Sequence, residues 1–378
     1  MSSDWVPRTV ESLCSRVGSG GTPKRTVREY YSPASIPWIK SGDLKDALIE
    51  SWDESISDSG LANSAAKVWP TGTVLMAMYG LGTAGRLGIV GEPAACNQAI
   101  CAMVANPEVC DARWLFYMLK SDRDRIEQST NGAVQQNISA TAIRQYTYLA
   151  PPLPEQQAIA EVLGALDDKI AANTALVRTA WELAETEFRS IQADPARSRT
   201  TLGAIAALEY GKALPATARL PGKVSVVGSG GVSGSHSAAL VNHSGVVVGR
   251  KGSAGSVHWV SGPHFPIDTT FYVRGIRQGI SQPYLFFLLR ALRLGDMNND
   301  SAVPGLNRAE ALALPVVVAS SAVIDVFTMR AGALIEVVEA VGVENRTLAA
   351  TRDALLPQLM SGGLRVRDAE SIASNAGA

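Results

Sequence analysis

The sequence predicts an α+β chain of two tandem mixed α/β domains, each followed by one long α-helix, with the two helices pairing as an antiparallel coiled coil. Two observations carry this reading. The run Trp114-Leu-Phe-Tyr-Met-Leu119 is answered by Tyr284-Leu-Phe-Phe-Leu-Leu289 at an offset of 170 residues, as an internal duplication requires. Behind each copy runs one long stretch with apolar residues at three-four spacing, the period of a helix with one buried face.

The first domain covers residues 1–152, and the second, residues 193–320, repeats its landmarks. Gly82-Thr-Ala-Gly85 matches Gly252-Ser-Ala-Gly255, and Thr71-Gly-Thr-Val-Leu75 matches His243-Ser-Gly-Val-Val247. Gln135–Ser139 falls opposite Pro304–Arg308, each just before a short helix-like stretch. Runs such as Val224–Val227 and Gly245–Val248, punctuated by Gly, Ser and Pro, read as strands.

The first long helix, residues 153–192, starts after Pro151-Pro-Leu-Pro154, because proline suits a first helical turn and cannot continue a preceding helix. Its seam is Ile159, Leu163, Leu166, Ile170, Asn173, Val177, Ala180 and Ala184. The second, residues 321–361, has Ile324, Phe327, Ala331, Leu334, Val338, Val341, Asn345, Leu348, Arg352 and Leu355, and stops near Pro357 and Ser361-Gly-Gly363. Each seam holds a single asparagine in an apolar row, a device that sets register at a cost in stability. Pairing is therefore expected through Leu166, Ile170 and Asn173 on one helix and Leu334, Val338, Val341, Asn345 and Leu348 on the other. The alternative is that each helix packs only on its own domain. Residues 362–378 are expected to form a flexible tail.

With 378 residues and 46% apolar composition, the chain is long enough to bury more than one core. No apolar run approaches the roughly 20 residues of a membrane helix, and Met1–Val10 lacks the pattern of a signal peptide, so a cytoplasmic location is expected. Cys14, Cys96, Cys101 and Cys110 contain no CxxC pair, and the histidines lie far off between His236 and His264, so neither a metal site nor a disulfide is expected. The net charge of −1 hides an uneven distribution. Residues 193–320 hold 12 basic and 6 acidic side chains, residues 1–151 hold 14 and 15, and the two helical stretches are acidic at 3 against 7 and 3 against 5. A basic module of this kind favours a polyanionic partner.

Catalytic motifs are missing. There is no GxxxxGK[ST] loop, no GxSxG elbow, no HExxH helix and no Asn-Pro-Pro-Tyr of an amino-methyltransferase. Gly228-Ser-Gly-Gly231 lacks the GxGxxG spacing of a dinucleotide site and reads as a tight turn. His258, His264 and Asp268 have no nucleophile motif tied to them, so a hydrolase built on them rests on residue types alone. No catalytic residue and no cofactor are expected.

Pro152-Leu-Pro-Glu-Gln-Gln157, running through Ile159 and Asp168-Lys169-Ile170 to Asn173, resembles the central conserved helix of type I restriction-modification specificity subunits. Arg352-Asp-Ala-Leu-Leu-Pro-Gln-Leu-Met-Ser-Gly362 resembles the close of that family's distal conserved helix. Ile36–Leu44, Val227–Gly231, Gly249–Gly255 and Val303–Arg308 are similar to its target-recognition segments. The second domain departs from the pattern, since it reaches its helix through Leu314-Pro-Val-Val-Val-Ala319 without Pro-Leu-Pro-Glu-Gln.

The resemblance implies that each domain is a target recognition domain docking on one half of a bipartite, asymmetric site in double-stranded DNA. The helices then act as a spacer: about 30 residues give about 45 Å, or roughly a dozen base pairs. It also implies partners, namely two methyltransferase subunits that use S-adenosylmethionine to methylate adenine, and motor-nuclease subunits for restriction. A type IIB-like or methylation-only system is a neighbouring alternative, and a coiled-coil scaffold without a DNA role is a distant one.

Candidate contacts follow from residue chemistry. In the second domain, Arg250, Lys251 and Ser253 lie in the glycine-rich turn Gly249–Gly255, where backbone approaches phosphate closely. Lys212 and His258 are further candidates there, and Asn307 and Arg308 carry groups able to bond base edges. In the first domain the matching residues are Lys24 and Arg25, then Lys40, Ser41 and Asp43, Tyr79 and Arg86 around Gly80–Gly88, and the amides Gln135, Gln136 and Asn137. The plain alternative is a solvated basic loop for Lys24, Arg25 and Lys40 to Asp43, ordinary turn chemistry for Tyr79 and Arg86, and a common polar loop for the amides, Asn307 and Arg308.

Overall fold

The computed structural model describes residues 4–80, 82–126, 138–297 and 305–378. It divides into two units, one formed by Met1–Ala172 with Glu344–Ala378 and the other by Asn173–Val343, so the division falls inside both long helices. Gln135, Gln136 and Asn137 lie outside the described residues.

Unit 1 opens with β1 (Val6–Thr9), α1 (Val10–Leu13), β2 (Cys14–Ser19), β3 (Ile36–Ile39), β4 (Ala47–Ile49), β5 (Ser55–Ile56), α2 (Asp58–Ala62) and β6 (Val68–Trp69). It continues through β7 (Val74–Ala77), β8 (Leu87–Val90), β9 (Ala94–Cys96), β10 (Ile100–Ala105), α3 (Ala112–Ser121), α4 (Ala140–Gln145) and β11 (Thr147–Ala150). One sheet has the order β2-β10-β7-β8-β4 and another β5-β3-β9-β6, while β1 and β11 pair antiparallel. Strands β7 and β8 are buried throughout, which explains their near-continuous apolar sequences. Helix α3 is capped by Asp111, whose side chain accepts from the Trp114 amide at 2.8 Å, and it buries Trp114 to Leu119 in the core.

The first long helix, α5, runs Leu153–Ile191. Its start explains the Pro-Glu-Gln-Gln motif. Gln156 is buried, accepts from the Asp111 amide at 3.0 Å, and donates to the carbonyls of Val109 and Pro151 at 3.1 and 2.9 Å, so its amide group is satisfied against the domain it follows.

Unit 2 holds β12 (Ser198–Thr201), β13 (Ala206–Tyr210), β14 (Val224–Gly228), β15 (Gly231–His236), β16 (Gly245–Gly249), β17 (Val257–Val260), β18 (His264–Pro266) and β19 (Thr270–Gly275). These precede α6 (Gln282–Ala291), α7 (Arg308–Ala313), β20 (Pro315–Val318) and the second long helix, α8 (Ser321–Met360). The sheets are β13-β19-β16-β17 and β15-β14-β18, and β12 pairs antiparallel with β20 as β1 does with β11. Helix α6 is capped by Ser281, at the place of Asp111, and buries Tyr284 to Leu289. Ile324 replaces Gln156 at the offset of 168 residues that carries Leu153 to Ser321, so an apolar contact stands where unit 1 uses an amide. This is why the second domain lacks the motif.

The two long helices pack against each other in antiparallel fashion within each unit. In unit 1, Asp167 and Lys169 of α5 pair with Arg352 and Glu344 of α8 at 2.6 and 3.6 Å. In unit 2, Glu187 faces Arg330 at 3.7 Å, and the Phe188 ring lies 5.7 Å from that of Phe327. Leu166, Val341, Leu348 and Asn173 are buried, whereas Ile170, Leu334, Val338 and Asn345 are half-buried. Ile335 takes the buried place beside Leu334. The straight seam missed it because an α-helix drifts against a strict heptad row.

One expectation is corrected. Residues 362–378 are not a flexible tail: Val366–Asn375 form helix α9, and Ala369 and Ala373 are buried in the unit 1 core. Its apolar face is short and interrupted by small residues, which hid the periodicity. Among the described residues, no helix is long and apolar enough to cross a membrane.

Candidate nucleic-acid interface

In unit 2 the turn after β16 is closed by Gly249 N–H to the Ser256 carbonyl and by Gly255 N–H to the Gly249 carbonyl, both at 2.8 Å. Gly255 has φ +80°, and a β-carbon there would meet the Gly295 amide at 2.2 Å, so the tight turn demands glycine. Two backbone bonds from Arg250 and Lys251 to the Thr269 carbonyl, at 2.8 and 3.1 Å, set the turn beside β19.

The side chain of Arg250 donates Nε and Nη2 to the Asp268 carbonyl at 3.1 and 2.7 Å. Arg308, the first residue of α7, donates Nε to the Leu208 carbonyl at 2.7 Å. Both guanidinium carbons lie 5.5 Å from the centre of the Tyr210 ring, within cation–π range. Tyr210 is 52% exposed and packs at a tilt on Phe271, with ring centres 5.0 Å apart. Together these residues and Leu306 line an open cleft of about 540 Å³. The bound Nε atoms hold both guanidinium groups in place, and each retains a terminal nitrogen outside these bonds, so two cationic groups are preorganised beside an aromatic face. Such a surface suits phosphate, sugar and base edges. Sequence reasoning named both arginines but missed Tyr210, whose only signal was an aromatic residue closing a strand before Gly211.

The other predicted residues separate by what they touch. Lys251 and Ser253 are exposed on the same turn, and Lys212 is exposed just beyond Tyr210. Asn307 is instead the N-cap of α7: its side-chain oxygen accepts from the amides of Ala309 and Glu310, and Nδ2 donates to the Glu310 carboxylate at 3.0 Å. Its amide is thus occupied at both ends. The His258 Nε2 lies 2.9 Å from the Ser229 carbonyl oxygen and 3.1 Å from the Ser256 hydroxyl, bracing the turn around Gly228–Gly231. His264 is buried, its Nδ1 is 3.0 Å from the Gly262 carbonyl oxygen, and burial lowers its pKa. Neither bonding pattern includes the Asp268 carboxylate, so the residues of the hydrolase alternative are used otherwise.

Unit 1 builds the same turn with different chemistry. Ala77 N–H bonds the Arg86 carbonyl and Gly85 N–H the Ala77 carbonyl, both at 2.9 Å. Ile138 N–H bonds the Met78 carbonyl as Leu306 N–H bonds that of Arg250. Met78, which is buried, therefore stands in the place of Arg250. Ala140 follows the Ser139 cap as Arg308 follows Asn307, and Ser19 pairs with Cys101 as Tyr210 pairs with Phe271. Tyr79 and Arg86 are half-buried beside this turn.

The basic residues of unit 1 gather elsewhere. Arg25 is bonded to Glu54 and stacks over Tyr31 and Trp38, at 4.9 Å from each ring, and Lys40 donates to the same Glu54 at 2.8 Å. Bonds from Arg25 and then Lys40 hold the Glu54 pKa down at about 2. One carboxylate thus neutralises part of two cations, a partner that the sequence did not reveal. Asp43 is a local cap, accepting from the Lys40 amide at 2.8 Å within the turn that carries Ser41, while Lys24 is exposed.

Residues 2–178 match the model of the type I restriction modification DNA specificity domain. The EcoprrI specificity subunit of Escherichia coli is 23% identical over 329 residues, covering 80% of each chain. The chain is thus similar to type I restriction-modification specificity subunits. The EcoR124I/EcoR124II specificity subunit of Escherichia coli is 26% identical over 153 residues, a match spanning 39% of this chain and 37% of that relative. Both curated relatives are named as specificity subunits of type I restriction enzymes. In fold, the chain is similar to the crystal structure of the type I restriction-modification S subunit from M. genitalium, with TM-score 0.68, 20% identity, and coverage of 95% and 97% of the two chains.

Proposed function

We propose that the two domains, residues 1–152 and 193–320, read the two halves of a bipartite asymmetric target in duplex DNA, with the paired helices setting the spacing between them. The observation that carries this reading is the repeated turn with unlike side chains. One backbone frame presents Arg250, Arg308 and Tyr210 in unit 2, and Met78, Ala140 and Ser19 in unit 1. Two copies of one frame with different side chains, cationic in unit 2 and uncharged in unit 1, suit two different half-sites.

Domain 2 supplies most of the positive charge through Arg250, Lys251, Arg308 and Lys212, and Ser253 adds a hydroxyl. Domain 1, whose candidates are Lys24, Arg25, Lys40, Ser41, Tyr79 and Arg86 and in which Glu54 offsets part of the charge of Arg25 and Lys40, grips DNA more weakly on its own. Part of its hold then comes from partners. We take these to be two methyltransferase subunits, which bring S-adenosylmethionine and modify adenine, and motor-nuclease subunits that complete restriction in the cytoplasm. Helix α8 offers them an exposed stripe of Val326, Met329, Ala333, Val337, Ala340 and Val343, spaced by three or four residues, and Leu176 and Leu183 are exposed on α5. Such a stripe suits the apolar face of a partner helix.

The test is to co-express the chain with the methyltransferase subunit of its source genome and map adenine methylation across the host genome by single-molecule sequencing. A motif of two short blocks around a fixed spacer, lost when this chain is omitted, is expected. Methylation that ignores the chain while the proteins still associate would leave only the scaffold.

A further inference from the structure

Unit 1 seats its domain on the helix pair through charge-assisted bonds. Tyr117 on α3 donates its hydroxyl to Oδ2 of Asp167 on α5 at 2.7 Å, and Arg352 on α8 donates Nη1 to Oδ1 of the same carboxylate at 2.6 Å. Arg352 is held in turn by Asp353, whose Oδ1 accepts from its Nε and Nη2 at 2.9 and 2.7 Å. One helical turn away on α3, Arg113 donates Nη1 to Asp168 at 2.9 Å. Tyr117 is almost wholly buried, and Asp167 and Arg352 are 21% and 17% exposed, so these bonds are largely shielded from water. Such bonds hold their partners at one distance and one angle.

The duplicated unit has nothing polar at the places of Tyr117, Asp167 and Arg352, although Glu336 and Glu185 stand at those of Asp168 and Asp353. At the offset of 170 residues Tyr117 becomes Phe287. At the helix offset of 168 residues, Asp167 becomes Ile335, and Arg352 stands in the place of Ala184. All three are buried, and Phe287 packs on the rings of Phe188 and Phe327 at 6.0 and 5.6 Å. An apolar trio therefore serves the same architecture, so the fold does not require the ionic version. Well-packed apolar replacements of buried ion pairs are often neutral or stabilising, and directional polar groups are retained in some proteins because they select one arrangement.

We propose that Asp167 is a positioning residue which, with Tyr117 and Arg352, locks domain 1 in a single orientation on its helices and so fixes where its half-site lies. The functional consequence rests on the DNA reading proposed above. The lock itself does not.

The test uses the full chain in complex with its methyltransferase, carrying spin labels at the exposed positions Lys67→Cys and Arg346→Cys, both in unit 1. The original chain is compared with a variant that receives the unit 2 residues, Tyr117→Phe, Asp167→Ile and Arg352→Ala. The variant is expected to keep its thermal unfolding transition while the label-to-label distance distribution broadens. The preference for the correct spacer over spacers one base pair longer or shorter is expected to fall about tenfold, the scale of a lost hydrogen bond to a charged group. A folded variant with an unchanged distribution overturns the proposal. Should the triple variant not fold, Tyr117→Phe alone, which removes one hydroxyl, must broaden the distribution, and an unchanged width there is equally fatal. If the distribution broadens but methylation ignores this chain even in its original form, the lock stands and the DNA reading fails.

Discussion

The Arg308 guanidinium carbon lies 5.5 Å from the centre of the Tyr210 ring, although the two residues are separated by most of the second domain. The arrangement is mirrored by Arg250 at the same distance, so one ring organises two cations. Arg250→Ala is expected to weaken DNA binding by the assembled complex about tenfold and to reduce the salt dependence by about one phosphate contact. Tyr210→Ala is expected to cost about 0.5–1 kcal/mol, and the double variant less than the sum of the two. Fluorescence anisotropy titrations over a salt series check this, and strict additivity would rule out the stack as a unit.

Asn307 gives the opposite expectation. Because its side chain caps α7, Asn307→Ala should lower stability by about 1 kcal/mol, and Asn307→Asp should restore it, while the methylated motif stays the same. Thermal denaturation together with methylome mapping checks both halves. A changed base at one motif position would return Asn307 to the base-reading set.

Glu54 predicts an acid limb. Its folded pKa, about 2, lies below the unfolded value of about 4.5, so the native state binds fewer protons between these limits. Its contribution is fully present above about pH 4.5 and disappears as pH falls towards 2. The pair is partly exposed, so the contribution is about 1 kcal/mol or less. Urea denaturation of the chain and of Glu54→Gln across pH 2–6 should show the two curves converging at the acid end.

The exposed stripe of α8 predicts a partner effect. Met329 is 70% exposed and Val337 40%, so Met329→Glu with Val337→Glu should leave the chain's own unfolding transition within about 0.5 kcal/mol. Association with the methyltransferase should weaken at least about tenfold, since a charge would be carried into an apolar contact. Analytical ultracentrifugation of the mixed subunits gives the answer, and undiminished binding would move the docking surface elsewhere.

Much of this molecule was legible in the sequence because its strongest signals are periodic or local. The three-four seams determined two long helices, and the Trp114 and Tyr284 runs determined the duplication. Gly249–Gly255 announced a turn whose conformation needs glycine, and the Pro-Leu-Pro-Glu-Gln run marked where α5 starts. Such features depend on neighbours within a few positions, where the chain's own geometry dictates the partner.

Tertiary structure decided which side chain faces which. Tyr210 entered the site only because β13 pairs with β19 and thereby lies under Arg250 and Arg308. Glu54 met Arg25 and Lys40 across a sheet, Asn307 and His258 proved to be engaged with backbone, and Asp167 met Arg352 across 185 positions. The final residues folded because the unit 1 core accepts Ala369 and Ala373. In each case the deciding interaction joins residues distant in the chain, and hydrogen-bond and ionic energies depend on distances that no linear spacing encodes.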